Sequence, residues 1–262
     1  MRRRFLEKKQ VVCGVMLSAL ACLLVVWWRP PLRRPRVVRS KGIKFLVSGR
    51  TVLGAQVEEF PEEPVFYGWV VQEAAFDVFQ PQKALVIGVG AGYLTSTFRR
   101  RGAAVRAVEL DPTVAALAEK EFGVHGIEVA DGRDVLRQKG HRYDLVAIDC
   151  FNGRGASFFL FEEPDLLEAL TASTDNFVLN FVLVPQDERD VVATLKRRLP
   201  YPCRAFRDNP FVGDSVVSNV VFFCSKGKKD MDFSSSSSSS SSGRTRRPRA
   251  RGDGGGGSAS VV

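Results

Sequence analysis

Three carboxylates and one cluster of glycines have the residue types and spacing for chemistry. Glu109, Asp131 and Asp149 each end a short apolar run, and Gly88, Gly90 and Gly92 end a fourth. Glycine lets backbone come close to a ligand in a strand-to-helix turn, where a Cβ would intrude. Glu109 follows Gly88 by 21 residues, about the ~20-residue spacing at which an acid beyond the next strand reaches ribose hydroxyls. Asp131, followed by Gly132, is placed to accept from an adenine amine. Asp149 is placed to orient or deprotonate a nitrogen or oxygen nucleophile. Each acid alone is equally well read as a helix cap or a solvated turn. Their joint occurrence at successive strand ends points to one adenosine-containing ligand, held by Gly88, Gly90, Gly92, Glu109, Asp131 and Gly132.

The elements that must position these groups alternate regularly. Strands are predicted over 84–89, 104–109, 127–130, 143–149 and 176–184, with helices over 93–101, 113–122, 133–138, 160–172 and 186–198. Residues 204–207 and 216–224 pattern as an antiparallel pair at the end. Before the first of these strands, residues 43–56 suggest two short strands around Ser48 and Gly49, and 65–79 a helix. Such alternation predicts an open α/β sheet with helices on both faces, which gathers ligand groups at the carboxyl ends of its strands.

Charge is distributed unevenly. Residues 1–42 carry 11 Lys/Arg against one acid and residues 225–262 carry 8 against 3, leaving 19 bases against 25 acids in 43–224. An acidic core argues against nucleic-acid binding, which leans on a basic face. The five cysteines include no C-x-x-C pair, and His125 and His141 are the only histidines. The expectation is reduced, buried cysteines and no metal site.

Residues 1–10 are basic, and residues 11–28 are 18 in a row without a charge. As a helix these span roughly 27 Å, close to the ~30 Å hydrocarbon core. Trp27 and Trp28 mark an interface. The expectation is a single-pass membrane protein with its main domain in the cytosol, the alternative being organelle targeting by the Arg-rich N-terminus. A Pro/Arg linker is expected over 29–42, a small strand and helix region over 43–80, and the ligand-binding domain over 81–224. Residues 225–262, with nine consecutive serines, are too polar to bury a core and are expected to be disordered.

The turn reads G-x-G-x-G followed by Tyr93, not the G-x-G-x-x-G of dinucleotide sites. With the closing antiparallel pair, residues 43–224 resemble the class I S-adenosylmethionine-dependent methyltransferase superfamily, closest to spermidine synthase-like proteins. The resemblance rests on residues 48–53 (SGRTVL), 108–112 (VELDP), 130–132 (ADG), 143–149 (YDLVAID) and 160–170. It implies a Rossmann-like, mostly parallel sheet with a C-terminal antiparallel hairpin and a small N-terminal β region. The implied cosubstrate is S-adenosyl-L-methionine, or alternatively decarboxylated S-adenosylmethionine, with Asp149 catalytic and a homodimer as a possible assembly.

This chain departs from that pattern at three places. Aminopropyltransferases carry an acid inside the glycine turn, where Ala91 stands here. They carry a second acid three residues beyond the catalytic one, where Asn152 stands. They carry a Tyr-His or Tyr-Gln pair in the helix before the first strand, whereas Tyr67 precedes Gly68 and Trp69. A polyamine needs paired charge to offset its desolvation, so a less cationic small-molecule or protein acceptor fits better. The expected function is a membrane-anchored methyltransferase. The alternatives are a spermidine synthase-like aminopropyltransferase and a non-catalytic S-adenosyl-binding or scaffold protein. Phe158, Phe159 and Phe161 are read as a lid over the acceptor or as ordinary packing.

Overall fold

The structure, a computed structural model, describes residues 34–49, 51–150, 159–183, 185–207 and 218–227. Within them a three-stranded antiparallel sheet, β1 (Arg36–Ser40), β2 (Ile43–Ser48) and β3 (Thr51–Val57), precedes a seven-stranded one. Helix α1 (Tyr67–Phe79) leads into β4 (Lys83–Ile87), α2 (Tyr93–Arg100), β5 (Ala104–Glu109) and α3 (Pro112–Phe122). Then come β6 (Ile127–Val129), α4 (Gly132–Arg137), β7 (Leu145–Ile148), α5 (Phe159–Glu162) and α6 (Pro164–Ser173). The chain continues through β8 (Asn176–Leu183), α7 (Pro185–Arg198), β9 (Cys203–Arg207) and β10 (Ser218–Ser225).

The large sheet runs in the order β6-β5-β4-β7-β8-β10-β9. Pairing is parallel from β6 to β8 and antiparallel from β8 through β10 to β9. This is the open α/β sheet that the alternating pattern predicts, in the Rossmann-like form with a C-terminal antiparallel hairpin that the resemblance implies. Its central strands are mostly apolar because helices cover both faces. Leu85, Ile87, Val146, Ile148, Phe177, Leu179 and Phe181 are all buried there.

Local signals explain the helix ends. The Asp111 side chain accepts from the Thr113 amide at 2.7 Å, Pro112 fills the first position of α3, and Gly123 ends it in the left-handed region at φ 71°. The single helix expected over 160–172 is two. Pro164 opens α6 and has no N–H to continue α5 across the junction.

Three expectations need correction. The stretch read as a linker over 29–42 carries β1, which pairs with β2 from Arg36↔Val47 to Ser40↔Ile43. The cysteines are not all reduced: Cys203 and Cys224 stand directly opposite one another on β9 and β10 and form a disulfide, with Cα atoms 4.2 Å apart. The third correction concerns the single-pass membrane protein. Among the described residues no helix is long and apolar enough to cross a membrane. Even α7, at 14 residues, would span only about 21 Å of a ~30 Å hydrocarbon core. Residues 11–28 themselves, like the tail 228–262, lie outside the described residues.

Candidate active site

The glycine turn after β4 is shaped by what presses on it. Gly88 has φ 88°, and a Cβ there would lie 2.2 Å from the carbonyl oxygen of Asp149. The end of β7 therefore lies directly against the turn. Gly90 has φ 54°, and its Cβ would lie 2.2 Å from the Leu53 carbonyl of β3. At both places an L side chain is excluded twice, by backbone conformation and by space. Gly92 opens α2, and Val124 fills the space that a Cβ there would need. Tyr93 is committed to packing, stacked on Trp69 at 5.1 Å and donating to Glu73 Oε2 at 2.6 Å.

Glu109 sits at the end of β5, as its spacing predicts, with its carboxylate turned onto the glycine turn. Oε2 accepts from the amides of Val89 at 3.0 Å and Gly90 at 3.3 Å, and Oε1 accepts from Asp111 at 3.1 Å. A carboxylate offers about four lone-pair directions. Glu109 thus braces the turn and keeps capacity for a further donor.

Asp131 is differently occupied. It caps α4 through the Arg133 amide at 2.9 Å, and the Arg133 guanidinium engages both of its oxygens, Nη2 at 2.6 Å from Oδ2. That hydrogen-bonded guanidinium holds the Asp131 carboxyl below the usual carboxylate range. Arg133 also reaches Glu163 at 3.0 Å, which ties α4 to the start of α6. Gly132 is buried, and a Cβ there would meet Ile87 Cγ2 at 2.3 Å.

Asp149, just beyond β7, is held by amides and by no cation among the described residues. Asn180 Nδ2 donates to Oδ1 at 2.8 Å, and Gln72 Nε2 donates to Oδ2 at 3.2 Å. Burial pushes its carboxyl above the usual range, and the two amide donors only partly oppose this. Next to it, the Cys150 thiol donates to the Ile87 carbonyl at 3.4 Å, and burial pushes its pKa up too. Asn180 Nδ2 also donates to Asn219 Oδ1 of β10 at 3.1 Å.

Gln72, Asn180 and Asn219 were not among the residues singled out from the sequence. Asn180 had a signal, since it interrupts an otherwise apolar run from Phe177 to Leu183. Gln72 had no strand end to mark it, and its one signal was the Tyr-Gln pair that the resemblance places in this helix, where Gln72 does not stand beside Tyr67. The helix does supply an amide to the site, five residues after Tyr67. Leu110 and Val129 are likewise new: they sit at the tips of β5 and β6 and are 65% and 52% exposed.

The other candidates divide. Ala91 is buried against β3, and a Cβ on Gly54 would lie 2.4 Å from the Ala91 Cβ. Phe161 packs on Phe181 at 6.3 Å, beneath the Arg198 guanidinium at 4.7 Å, so it is core packing rather than a lid. Asn152 and Phe158 lie outside the described residues.

No family model matches the chain. A polyamine aminopropyltransferase of Vibrio vulnificus (strain CMCP6) is 24% identical over 143 residues, 50% of this chain and 48% of that protein. The chain thus spans about half the length of the curated relative it matches. A probable spermidine synthase from Corynebacterium glutamicum ATCC 13032 superposes with a TM-score of 0.60 at 16% identity, covering 73% of this chain and 76% of that one. Spermidine synthase from Thermotoga maritima gives a TM-score of 0.50 at 16% identity, covering 76% and 74%. These likenesses show the fold, and it is the one that the sequence resemblance implied.

Proposed function

We propose that this chain is an S-adenosylmethionine-dependent transferase, and specifically a methyltransferase-like one acting on an acceptor that does not need a polyamine's paired charges. The observation that carries the reading is the contact of Gly88 with the Asp149 backbone. It brings a buried carboxyl beside the glycine turn, which suits close approach of a nucleoside ligand.

The residues present fit an adenosine-containing compound in most respects. The glycine turn is open to close backbone approach, Glu109 keeps acceptor capacity for ribose hydroxyls, and Leu110 and Val129 offer apolar edges for a ring. Asp131 fits less well, because Arg133 already engages both its oxygens. When bound, an S-adenosyl sulfonium supplies an electrophilic carbon, which an acceptor nitrogen or oxygen attacks in line while the C–S electron pair leaves on sulfur as a thioether. The chain's own contribution is orientation and proton acceptance. Asp149 accepts a hydrogen bond from the acceptor N–H or O–H and takes its proton as the new bond forms.

Methyl rather than aminopropyl transfer is favoured by Ala91. An acid at that place would pair the terminal amine of decarboxylated S-adenosylmethionine, and here the space is filled by β3. The second reading, aminopropyl transfer, is supported by the likeness to the Vibrio vulnificus enzyme. Calorimetry of the full chain with S-adenosylmethionine, its decarboxylated form and S-adenosylhomocysteine tests both. Binding of the first and third above the second is expected. Preference for the decarboxylated form would promote the second reading, and no binding of any would end both. Binding with no labelled product, after incubation of a methyl-labelled cosubstrate with a lysate, would favour a non-catalytic S-adenosyl-binding protein.

A further inference from the structure

Arg133 serves two carboxylates on different elements. Its Nε donates to both oxygens of Asp131 at 3.0 Å and its Nη2 to Oδ2 at 2.6 Å, while its Nη1 donates to Glu163 Oε1 at 3.0 Å. The Asp131 oxygens have little left to offer. Oδ1 also accepts from the Arg133 amide at 2.9 Å, so each oxygen already has a donor on each of its lone-pair directions. A further donor must displace one of them. The amide is fixed by the first turn of α4, so the donors that yield are those of the side chain. A guanidinium is a rigid plane, and when its fork on Asp131 opens it turns as a unit. Glu163 is the only other carboxylate that it touches among the described residues.

Glu163 is placed to receive it. Its Oε2 is held by Arg137, whose guanidinium is held in turn by Asp165 at 2.7 Å. Arg137 and Arg133 keep the Glu163 carboxyl below the usual carboxylate range, so it stays ionised. Glu163 immediately precedes Pro164, the first residue of α6. Whatever draws Arg133 from Asp131 toward Glu163 therefore tightens the tie between α4 and α6.

We propose that Glu163 is a positioning residue for the cosubstrate: it draws Arg133 away from Asp131, so the start of α6 sets how readily Asp131 accepts a ligand amine. The ligand amine rests on the transferase reading; the competition of the two carboxylates for Arg133 does not. Linkage between the two events is reciprocal. A cosubstrate that takes Asp131 hands Arg133 to Glu163 and so fixes the start of α6.

The two ends of one ion pair should then act in opposite directions. In the full chain, calorimetry with S-adenosylhomocysteine should show Arg133→Ala binding about fivefold tighter than wild type and Glu163→Gln about two- to threefold weaker, the scale of an accessible ion pair. The double variant should bind like Arg133→Ala alone, because Glu163 acts only through Arg133. Asp165→Asn, which touches Arg137 and not Arg133, should bind like wild type. The Arg133 and Glu163 side chains are 42% and 34% exposed, so neither substitution threatens folding. Amide exchange gives a second readout: S-adenosylhomocysteine should slow it over residues 165–170 in wild type and not in Arg133→Ala. Shifts of one sign in Arg133→Ala and Glu163→Gln, a Glu163→Gln loss that persists in the double variant, or exchange that stays unslowed in wild type would overturn the proposal. An Asp165→Asn loss equal to that of Glu163→Gln would do the same. No binding by wild type would end the transferase reading and this proposal with it, whereas binding with shifts of one sign ends this proposal alone.

Discussion

Gly54 of β3 and Ala91 of the glycine turn are packed together: a Cβ on Gly54 would lie 2.4 Å from the Ala91 Cβ and 2.7 Å from its amide nitrogen. The strand β3 is thereby the wall of the glycine turn, and the absence of an acid at position 91 is part of the packing. A larger residue on either side has nowhere to go, because Gly90 already abuts the Leu53 carbonyl.

Gly54→Ala should therefore destabilise the protein by about 1–3 kcal/mol through overpacking. Ala91→Asp should cost more, since it adds a buried carboxylate with no partner. Thermal and urea unfolding of the two variants measure this. A melting temperature equal to wild type in both would mean that β3 does not seat against the turn.

Glu109→Ala should weaken S-adenosylmethionine binding by about 1–3 kcal/mol, the range for charged hydrogen bonds. Part of that loss comes from the turn itself, whose Val89 and Gly90 amides lose their acceptor. Glu109→Gln should lose nearly as much, because its amide end offers donors where acceptors are needed. Calorimetry on the three proteins gives the comparison.

Arg133 competes with any ligand for Asp131. Arg133→Ala should leave stability within about 1 kcal/mol, since its ion pairs are solvent-accessible. Freed of it, Asp131 should accept from an adenine amine and tighten S-adenosylhomocysteine binding by about 1 kcal/mol, roughly fivefold. Weaker binding in this variant would instead place the Arg133 guanidinium on the ligand.

The Asp149 carboxyl has a folded pKa above its unfolded one, so the native state binds more protons than the unfolded chain between the two. Its contribution to stability is complete below the unfolded pKa, near 3.8, and is lost as pH rises through the folded value. Asp149→Asn should abolish that loss, so the variant should gain in melting temperature over wild type with increasing pH. Asp131, with its pKa lowered by Arg133, acts in the opposite sense and loses stability as pH falls. A Tm difference between wild type and Asp149→Asn that does not change with pH would contradict the raised pKa.

Reduction of Cys203–Cys224 should lower stability by about 3 kcal/mol on chain-entropy grounds for a loop of this size. The two cysteines are 21 residues apart in the chain. Equal denaturant midpoints with and without reductant would mean that the pair contributes nothing.

The sequence by itself determined the periodic features. Apolar runs bounded by Gly, Asp and Pro located the seven strands of the large sheet and most helices to within a residue or two, because strand and helix periods are local. It also identified the glycine turn, Glu109, Asp131 and Asp149, because strand ends in a parallel sheet all face one edge. Only the tertiary structure decided how those groups are used. Arg133 takes Asp131, Glu109 braces the turn, and Gln72 and Asn180 arrive at Asp149 from residues 77 and 31 positions away. The Cys203–Cys224 pair and the Gly54–Ala91 contact are likewise invisible in spacing. These depend on register and on the seating of one sheet against another, which are set by long-range packing and leave no periodic trace in the chain.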